Sequence, residues 1–552
     1  MSMTGSIDSV MMRVIKDDLE DYLSWMQDGG LNPATQGFIE EMGWPNELPG
    51  TAYPEDAGKW NRAATYIMKQ LERLGIGSLY FNTGATPRPT DKLSLYVSGD
   101  NNVLGAEGTI ITKPASVFEA FCKPDRLMGV NIWPDMTSEA WNDWPGTIAG
   151  GGVYSNVNPG VADVDYLVLD ADSIAWLASR GHTLIRLAIA WERVQPSLGG
   201  PLDTDHLNLI KGILSACADN GIGVDLSIFQ GRDYRVGIDS NSYERQFMMY
   251  DTMPWSQVDA STICNLFDRL SQALSGHPGL FAYGLFNEPL LYGSGVITSG
   301  NLLVDFEDID VGQPPNDTEL LRCEAIVDDS RSFVGTKSIK IFSDDDANDA
   351  TLRYTPFVAT PGAQYLSMAR GSCDPWGVAT IQIWWYDENG AFIETDGSRT
   401  GAFIPLGNPP LQPGEWMYGT SVCTAPANAA EGRLTVRCWP LYGGRPLWVD
   451  DLQVYECSSV RSGRQGWFDL SQDIIDTIRA NDTTAEIWLD KHIGMSGSSL
   501  WHDYCPDGPW ATDPHNKLRY VHHLYFDHAR SAGGGYQSSY ADELAANTEQ
   551  GY

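Results

Sequence analysis

From about Cys122 onward the chain alternates strand-like and helix-like stretches, and no other feature restricts its fold as much. Apolar runs separated by amphipathic stretches predict a parallel sheet whose strands are joined by helical crossovers. Residues 127–133, 183–191, 224–229 and 280–286 read as strands. Between them, residues 170–180 open on an acid, carry apolar Ile174, Trp176 and Leu177 and stop at Gly181, as a capped helix does. Residues 205–220 set Leu209, Ile210, Ile213, Leu214 and Cys217 on one face ahead of Gly221, and residues 261–274 make a third helix. The series then halts, to resume with a helix at 470–480 and strands at 485–489 and 520–525. Six parallel strands do not close a barrel; eight do.

The missing pair is at the other end of the chain. Residues 16–27 form an amphipathic helix through Leu19, Tyr22, Leu23 and Met26, followed by Gly29, Gly30 and a strand at 36–42. Residues 56–74 are a second helix, with Ala64, Ile67, Met68 and Leu71 on one face and Gly75 as its stop, and a second strand follows at 77–81. The sequence therefore predicts an α/β chain, a (β/α)8 TIM barrel that is circularly permuted and carries an inserted all-β sandwich. A closed ring tolerates permutation, since any loop can hold the termini once a linker joins the old ends. On this reading residues 1–85 hold barrel strands 7 and 8 of the unpermuted order, 86–121 the permutation linker, 122–300 strands 1–4, 301–457 the insertion and 458–552 strands 5 and 6. The alternative is an N-terminal domain unrelated to the barrel.

The insertion has a different texture. Short β-rich runs at 337–342, 364–368, 380–386, 433–438 and 447–455 alternate with Gly, Pro, Asn and Asp turns, a sandwich pattern. Its place in the chain puts it beside the C-terminal rim of the barrel, where such barrels bind their ligands.

Charge bears on partners. The 552 residues carry 36 basic and 72 acidic side chains, a formal net charge of −36. Such a field repels phosphate backbones and anionic membranes, so nucleic acid is not an expected partner, whereas a neutral polysaccharide is not repelled. No run of about 18 apolar residues predicts a membrane span. Residues 1–12 lack the basic and apolar stretches of a secretory signal; the localisation stays open, and action outside a cell or on a virion is compatible with the sequence. The 19 Trp and 24 Tyr suit sugar faces as well as cores. Of nine cysteines, Cys323, Cys373, Cys423, Cys438 and Cys457 fall in the insertion, with scope for one or two disulfides, and the odd total leaves a thiol over.

Two apolar runs end in carboxylates: Phe286-Asn287-Glu288-Pro289 and, near the N-terminus, Glu40-Glu41-Met42-Gly43-Trp44. With Gly129-Val130-Asn131, residues 183–196 and His523-Leu524-Tyr525, they make the chain resemble glycoside hydrolase family 5, of the clan with catalytic glutamates on strands four and seven. The resemblance implies a retaining endo-type β-glycosidase acting on a polysaccharide or glycoconjugate, with Glu288 as general acid/base and Glu41 as nucleophile, and no cofactor for catalysis. It implies that Asn287 holds the 2-hydroxyl of the reacting sugar, that Arg186 keeps the nucleophile charged, that Tyr525 orients it and that His523 lies near the acid/base. Strand alternation sends Glu40 and Glu41 to opposite faces; the Glu-x-Gly spacing favours Glu41 in the cleft, with Glu40 the alternative. His522, by the same alternation, packs outward. Trp44, Trp133, Trp191, Trp501 and Trp510 stand near strand ends, where they line subsites or simply pack. Two positions depart from the family: Phe229 stands where strand three usually ends in histidine, and Phe81 where strand eight usually offers a sugar-flooring tryptophan.

The insertion resembles carbohydrate-binding modules of the family 4 and 9 type through residues 303–308, 335–340, 383–386 and 448–454. That resemblance implies sugar-stacking faces among Trp376, Trp384, Trp385, Trp416 and Trp439, and a structural calcium held by Glu307 and Asp451. Adjacent Trp384 and Trp385 cannot both face a ligand, and the plain alternative for the two acids is a solvated turn. The rival to an enzyme is a glycan-binding protein on an impaired barrel, alone or within a virion or other surface assembly.

Overall fold

A computed structural model describes residues 9–44, 56–80, 96–97, 113–114, 128–132, 154–162, 165–166, 168–228, 233–239, 242–342, 350–373, 378–395, 403–404, 416–439, 446–492 and 501–525. Eight strands close a barrel: β1 (Gly37–Gly43), β2 (Ser78–Tyr80), β3 (Met128–Ile132), β4 (Leu184–Ile189), β5 (Gly223–Ile228), β6 (Leu280–Gly284), β7 (Glu486–Leu489) and β8 (Leu518–Tyr525). They follow one another around the ring in chain order, β8 pairs with β1, and every pairing is parallel. The N-terminal strands are thus staves of the barrel and no separate domain.

Four helices begin where the sequence offers a side-chain acceptor. Asp170, Asp203, Asp259 and Ser462 each accept a backbone N–H in the first turn of the helices Ala171–Ser179, Thr204–Asp219, Ala260–Leu274 and Gly463–Arg479, each cap contributing about 1 kcal/mol. The last helix starts well before residue 470, because Gly463 and Gly466 hide the apolar period that Trp467 continues. Near the N-terminus, Ser9–Asp28 and Ala57–Leu74 flank β1.

Two cores result. Outward-facing Ile39, Met42, Ile185, Leu187 and Ile189 meet the helices. Inside the ring, Phe38, Leu79, Leu184, Ala282, Trp488 and Val521 form an apolar plug. Further along the same strands the inward positions become polar: Arg186 on β4, Asp225 and Ser227 on β5, and His523 on β8, all buried or nearly so. A barrel filled below and charged above directs any chemistry to the C-terminal mouth.

Between β6 and the helix Gly463–Arg479, two six-stranded antiparallel sheets share one apolar core. Trp385 is fully buried there, against Phe357 and Tyr365. It is therefore a core residue and no sugar-stacking face, while its neighbour Trp384 points to the other side, with the Arg353 guanidinium over its ring at 4.3 Å. Trp416 is partly buried beside Phe333; Trp376 and the side chain of Trp439 lie outside the described residues. The sandwich is fastened to the barrel by Arg370–Glu244 at 2.6 Å, by Arg461–Asp251 at 2.8 Å and by the Tyr418 hydroxyl on the backbone of Phe247. Cys323, Cys423 and Cys457 are free thiols, so none of these three makes a disulfide. Among the described residues no helix is long and apolar enough to cross a membrane.

Candidate active site

The site is built on a bulge. Along β1 and β8 the register runs Ile39 opposite His522 and then Glu41 opposite His523, so β1 advances two residues while β8 advances one. An extra residue of this kind breaks the alternation of faces and re-aims a side chain. Phe38 and Glu40 face inward as alternation requires, and Glu41 is turned inward with them: Glu40 Oε1 lies 3.1 Å and Glu41 Oε1 2.8 Å from the guanidinium of Arg186. The expectation that only one of the pair reaches the interior fails for this reason.

Arg186 gathers three acids. Its Nε donates to Ser227 Oγ at 3.0 Å and lies 3.5 Å from Asp225 Oδ2. Burial opposes its charge, yet Glu40, Glu41, Asp225 and Asp490 hold it protonated. Asp225 goes the other way. Burial and the charge of Glu40 push its carboxyl well above the usual range, against the pull of Arg186 and Ser227, and its Oδ1 receives no donor among the described residues. A hydrogen bond with Glu40 also favours the protonated form of Asp225.

Glu288 enters from the far side of the ring. It follows β6 with a left-handed backbone, φ 47°, strain of a kind found where side chains are held for function. Two hydrogen bonds fix this loop: Asn287 N–H donates to Ile228 O at 3.1 Å, and Glu288 N–H to Asp490 Oδ2 at 3.0 Å. Asn287 Oδ1 is buried and has no hydrogen-bond partner among the described residues.

His523 joins the two halves. Nδ1 lies 3.1 Å from Glu288 Oε1 and 3.4 Å from Glu41 Oε2; Nε2 lies 3.2 Å from Asp490 Oδ2 and 3.3 Å from Glu40 Oε2. Burial opposes its charge, but Asp490, Glu41, Glu288 and Glu40 together raise it well above the ordinary imidazole range. Asp490 is pushed up to about 7, by burial first and by Glu40 and Glu288, with His523 pulling it down. One oxygen of Glu41, one of Glu288 and a nitrogen of His523 all lie within 4.8 Å of one another, and the same holds for Glu40, Asp490 and His523. Of these contacts, Nδ1 with Glu288 at 3.1 Å and Nε2 with Glu40 at 3.3 Å are hydrogen bonds.

The remaining residues singled out by sequence are placed as follows. His522 packs outward, stacked on Tyr22 with ring centroids 4.9 Å apart and bonded to Trp501 Nε1 at 3.1 Å. Trp191 is buried against Tyr234 and Phe286 and donates to Gln195, and Trp44 is buried and donates to Asn61. Trp501 is buried and Trp510 stacks on Phe468. Trp44, Trp191 and Trp501 thus belong to the main hydrophobic core of the barrel, and Trp510 packs against it. Tyr525 ends β8 opposite Gly43, but its side chain, like Phe81, Trp133 and Phe229, lies outside the described residues. Sequence reasoning missed Asp225 and Asp490. An acid inside the apolar run Gly223–Ile228, and one directly after β7, were the available signals.

In the sandwich, Glu307 and Asp451 line one cavity of about 140 Å³ with Asp305 and Asp450. Both are already served by the chain. Glu307 accepts from Thr336 and Lys337, the Lys337 ammonium donates to the carbonyls of Glu307 and Ile309, and Asp451 pairs with Arg370 at 3.1 Å. In this arrangement Lys337 and Arg370 supply the positive charge a calcium ion would bring, so the donor set does not fit that ion.

Gly284 is required beside this network. A Cβ there would overlap Ser227 Oγ and stand 2.7 Å from Asp225 Oδ1. Gly284→Ala is expected to cost about 1–3 kcal/mol of stability by overpacking, read as a lower urea midpoint; an unchanged midpoint would show that β5 and β6 can part freely.

No family model matches the chain. Among solved structures it is similar to the Pseudomonas stutzeri endoglucanase Cel5A, at 16% identity and TM-score 0.32, over 71% of this chain and 66% of that one, just under two thirds of its length. It is similar to the endo-β-1,4-glucanase Xac0029 of Xanthomonas axonopodis pv. citri, at 16% identity and TM-score 0.30, over 71% and 68%. The C-terminal family 22 carbohydrate-binding module of Clostridium thermocellum Xyn10B matches 30% of this chain over 97% of its own length, at 10% identity and TM-score 0.21. Likeness this loose carries no argument about chemistry.

Proposed function

We propose that the protein is a retaining endo-type β-glycoside hydrolase acting on a polysaccharide or glycoconjugate, with a barrel of the family 5 kind that is circularly permuted so that β1 and β2 stand as its seventh and eighth strands. The observation that carries this reading is that one carboxylate oxygen of Glu41 and one of Glu288 lie within 4.8 Å of each other at the mouth of one barrel, both beside His523 Nδ1. Retaining enzymes hold their two carboxyls about 5–5.5 Å apart, whereas inverting ones leave about 6.5–9.5 Å for a water. Glu41, ionised against Arg186, attacks the anomeric carbon; Glu288 gives its proton to the leaving oxygen and then takes one from the water that releases the sugar. Asn287 Oδ1, buried and without a hydrogen-bond partner among the described residues, supplies an acceptor for a sugar hydroxyl. The sandwich, with the partly buried face of Trp384, is proposed to meet glycan or to wall the cleft.

The test is release of reducing ends from a panel of soluble β-glucans, mannans and xylans, with NMR of the first anomer formed. The β-anomer is expected first. Prompt α-anomer would overturn retention, and glycan binding with no turnover on any member would favour the binding-protein reading.

A further inference from the structure

Glu40 and Asp490 have no part in a two-glutamate mechanism, yet both aim at the ring nitrogen of His523 that faces away from the catalytic pair. Resting on the hydrolase reading, we infer that Glu40 and Asp490 are positioning residues that act through His523: they anchor its Nε2–H, so that Nδ1 stays shared between Glu41 and Glu288 and one proton is kept at the Nδ1–Glu288 contact. The geometry requires this division of labour. Nε2 has carboxylate oxygens at 3.2 and 3.3 Å, so it carries a proton and donates it. Nδ1 is then left to face the two glutamates at 3.1 and 3.4 Å. Asp490 also holds the Glu288 backbone N–H through the oxygen that meets Nε2, so one carboxylate fixes both the imidazole and the acid/base it serves.

Every packed element contributes to the charge around this ring. Glu40 and Glu41 come from β1, Glu288 from the loop after β6, and Asp490 and Lys491 from the end of β7; Arg186 on β4 and Asp225 on β5 stand behind Glu40, and His522 lies on the opposite face of β8. Burial first, and then the neighbouring acids, push Asp225 and Asp490 upward, while at His523 the acids overcome the opposing effect of burial. Loss of one charge on the Nε2 side lowers the basicity of the whole ring. It thereby makes the proton at Nδ1 easier to lose as pH rises.

The experiment compares the wild-type protein with Glu40→Gln and Asp490→Asn, two substitutions that keep shape and remove charge. Histidine ring carbons are labelled and His523 is assigned by its disappearance in His523→Gln, among the nine histidines of the chain. The His523 midpoint is expected to fall by about one pH unit or more in each variant, since an opposite charge within roughly 4–6 Å shifts a group by about 1–3 units. The alkaline limb of kcat/KM should fall with it, and Asp490→Glu should restore part of both. An unmoved His523 midpoint in variants that remain folded overturns the inference, as does a moved midpoint with an unmoved limb. A wild type inactive on every glycan points instead to failure of the hydrolase reading, while the NMR midpoints still report whether the anchoring exists.

Discussion

Glu41→Gln is expected to abolish turnover of every substrate, whereas Glu288→Gln is expected to spare substrates that do not need an acid. The two losses differ because the two carboxyls do different things to one bond. Without Glu41 no glycosyl-enzyme forms, whatever the leaving group, and the loss should reach about 10⁴-fold or more, the scale seen when a member of a covalent catalytic unit is removed. Without Glu288 the leaving oxygen departs unprotonated. For a sugar leaving group that costs about 10²–10⁴-fold, the usual value of general acid catalysis, but a dinitrophenolate departs almost as readily without help. The measurement is kcat/KM for each variant on a polysaccharide and on a dinitrophenyl glycoside. A Glu288→Gln variant equally impaired on both substrates would remove the acid role from that residue. A Glu41→Gln variant that keeps its aryl-glycoside activity would move the nucleophile elsewhere, with Glu40, its neighbour on the bulge, the next residue to replace.

That bulge also marks the limit of what the sequence discloses. The barrel is legible because its signals are local and repeated: an acid caps a helix, apolar residues recur on one face, a glycine ends it, and a short apolar run follows. Those patterns locate β4, β5 and β6 to within a few residues at either end. They also find β1 and β2 at the wrong end of the chain, since counting strands does not depend on where a ring is cut. The site is legible only in part. Arg186, Glu288 and His523 come together as the motifs imply, but the charge that surrounds them comes from Asp225, Asp490 and Glu40, three acids whose meaning depends on which strands are neighbours. Strict alternation assigns Glu40 and Glu41 to opposite faces, and only the shifted register against β8 brings both inside. Likewise Trp191 and Trp501 follow or lie near strand ends, as subsite residues would, yet are buried by layers the sequence does not announce.

Arg186→Leu is expected to be the most destabilising single change in the barrel, and its cost should depend on pH. Arg186 is about 1% exposed and holds Glu40, Glu41 and Asp225 around one guanidinium. Removing one partner of a buried ion pair typically costs about 3–5 kcal/mol, because the charges left behind have neither water nor a counter-ion. The sign of the pH dependence follows from proton counts. Asp225 and Asp490 have folded-state affinities for protons above those of free carboxyls, Asp490 near 7, so between about pH 4 and 7 the folded site binds more protons than the unfolded chain. Stability therefore falls as pH rises through that window. His523, also raised, adds stability that is complete below its ordinary value of about 6.5 and is lost only as pH passes its higher folded value. Without Arg186 the acids must hold still more protons to stay buried, which steepens the decline. Urea unfolding of wild type and Arg186→Leu at pH 5 and pH 8 should show a small difference at the first and the full difference at the second. Equal losses at the two values would mean that Arg186 stabilises the barrel by filling space and not by neutralising the acids around it, and its part in keeping Glu41 ionised would lose its support.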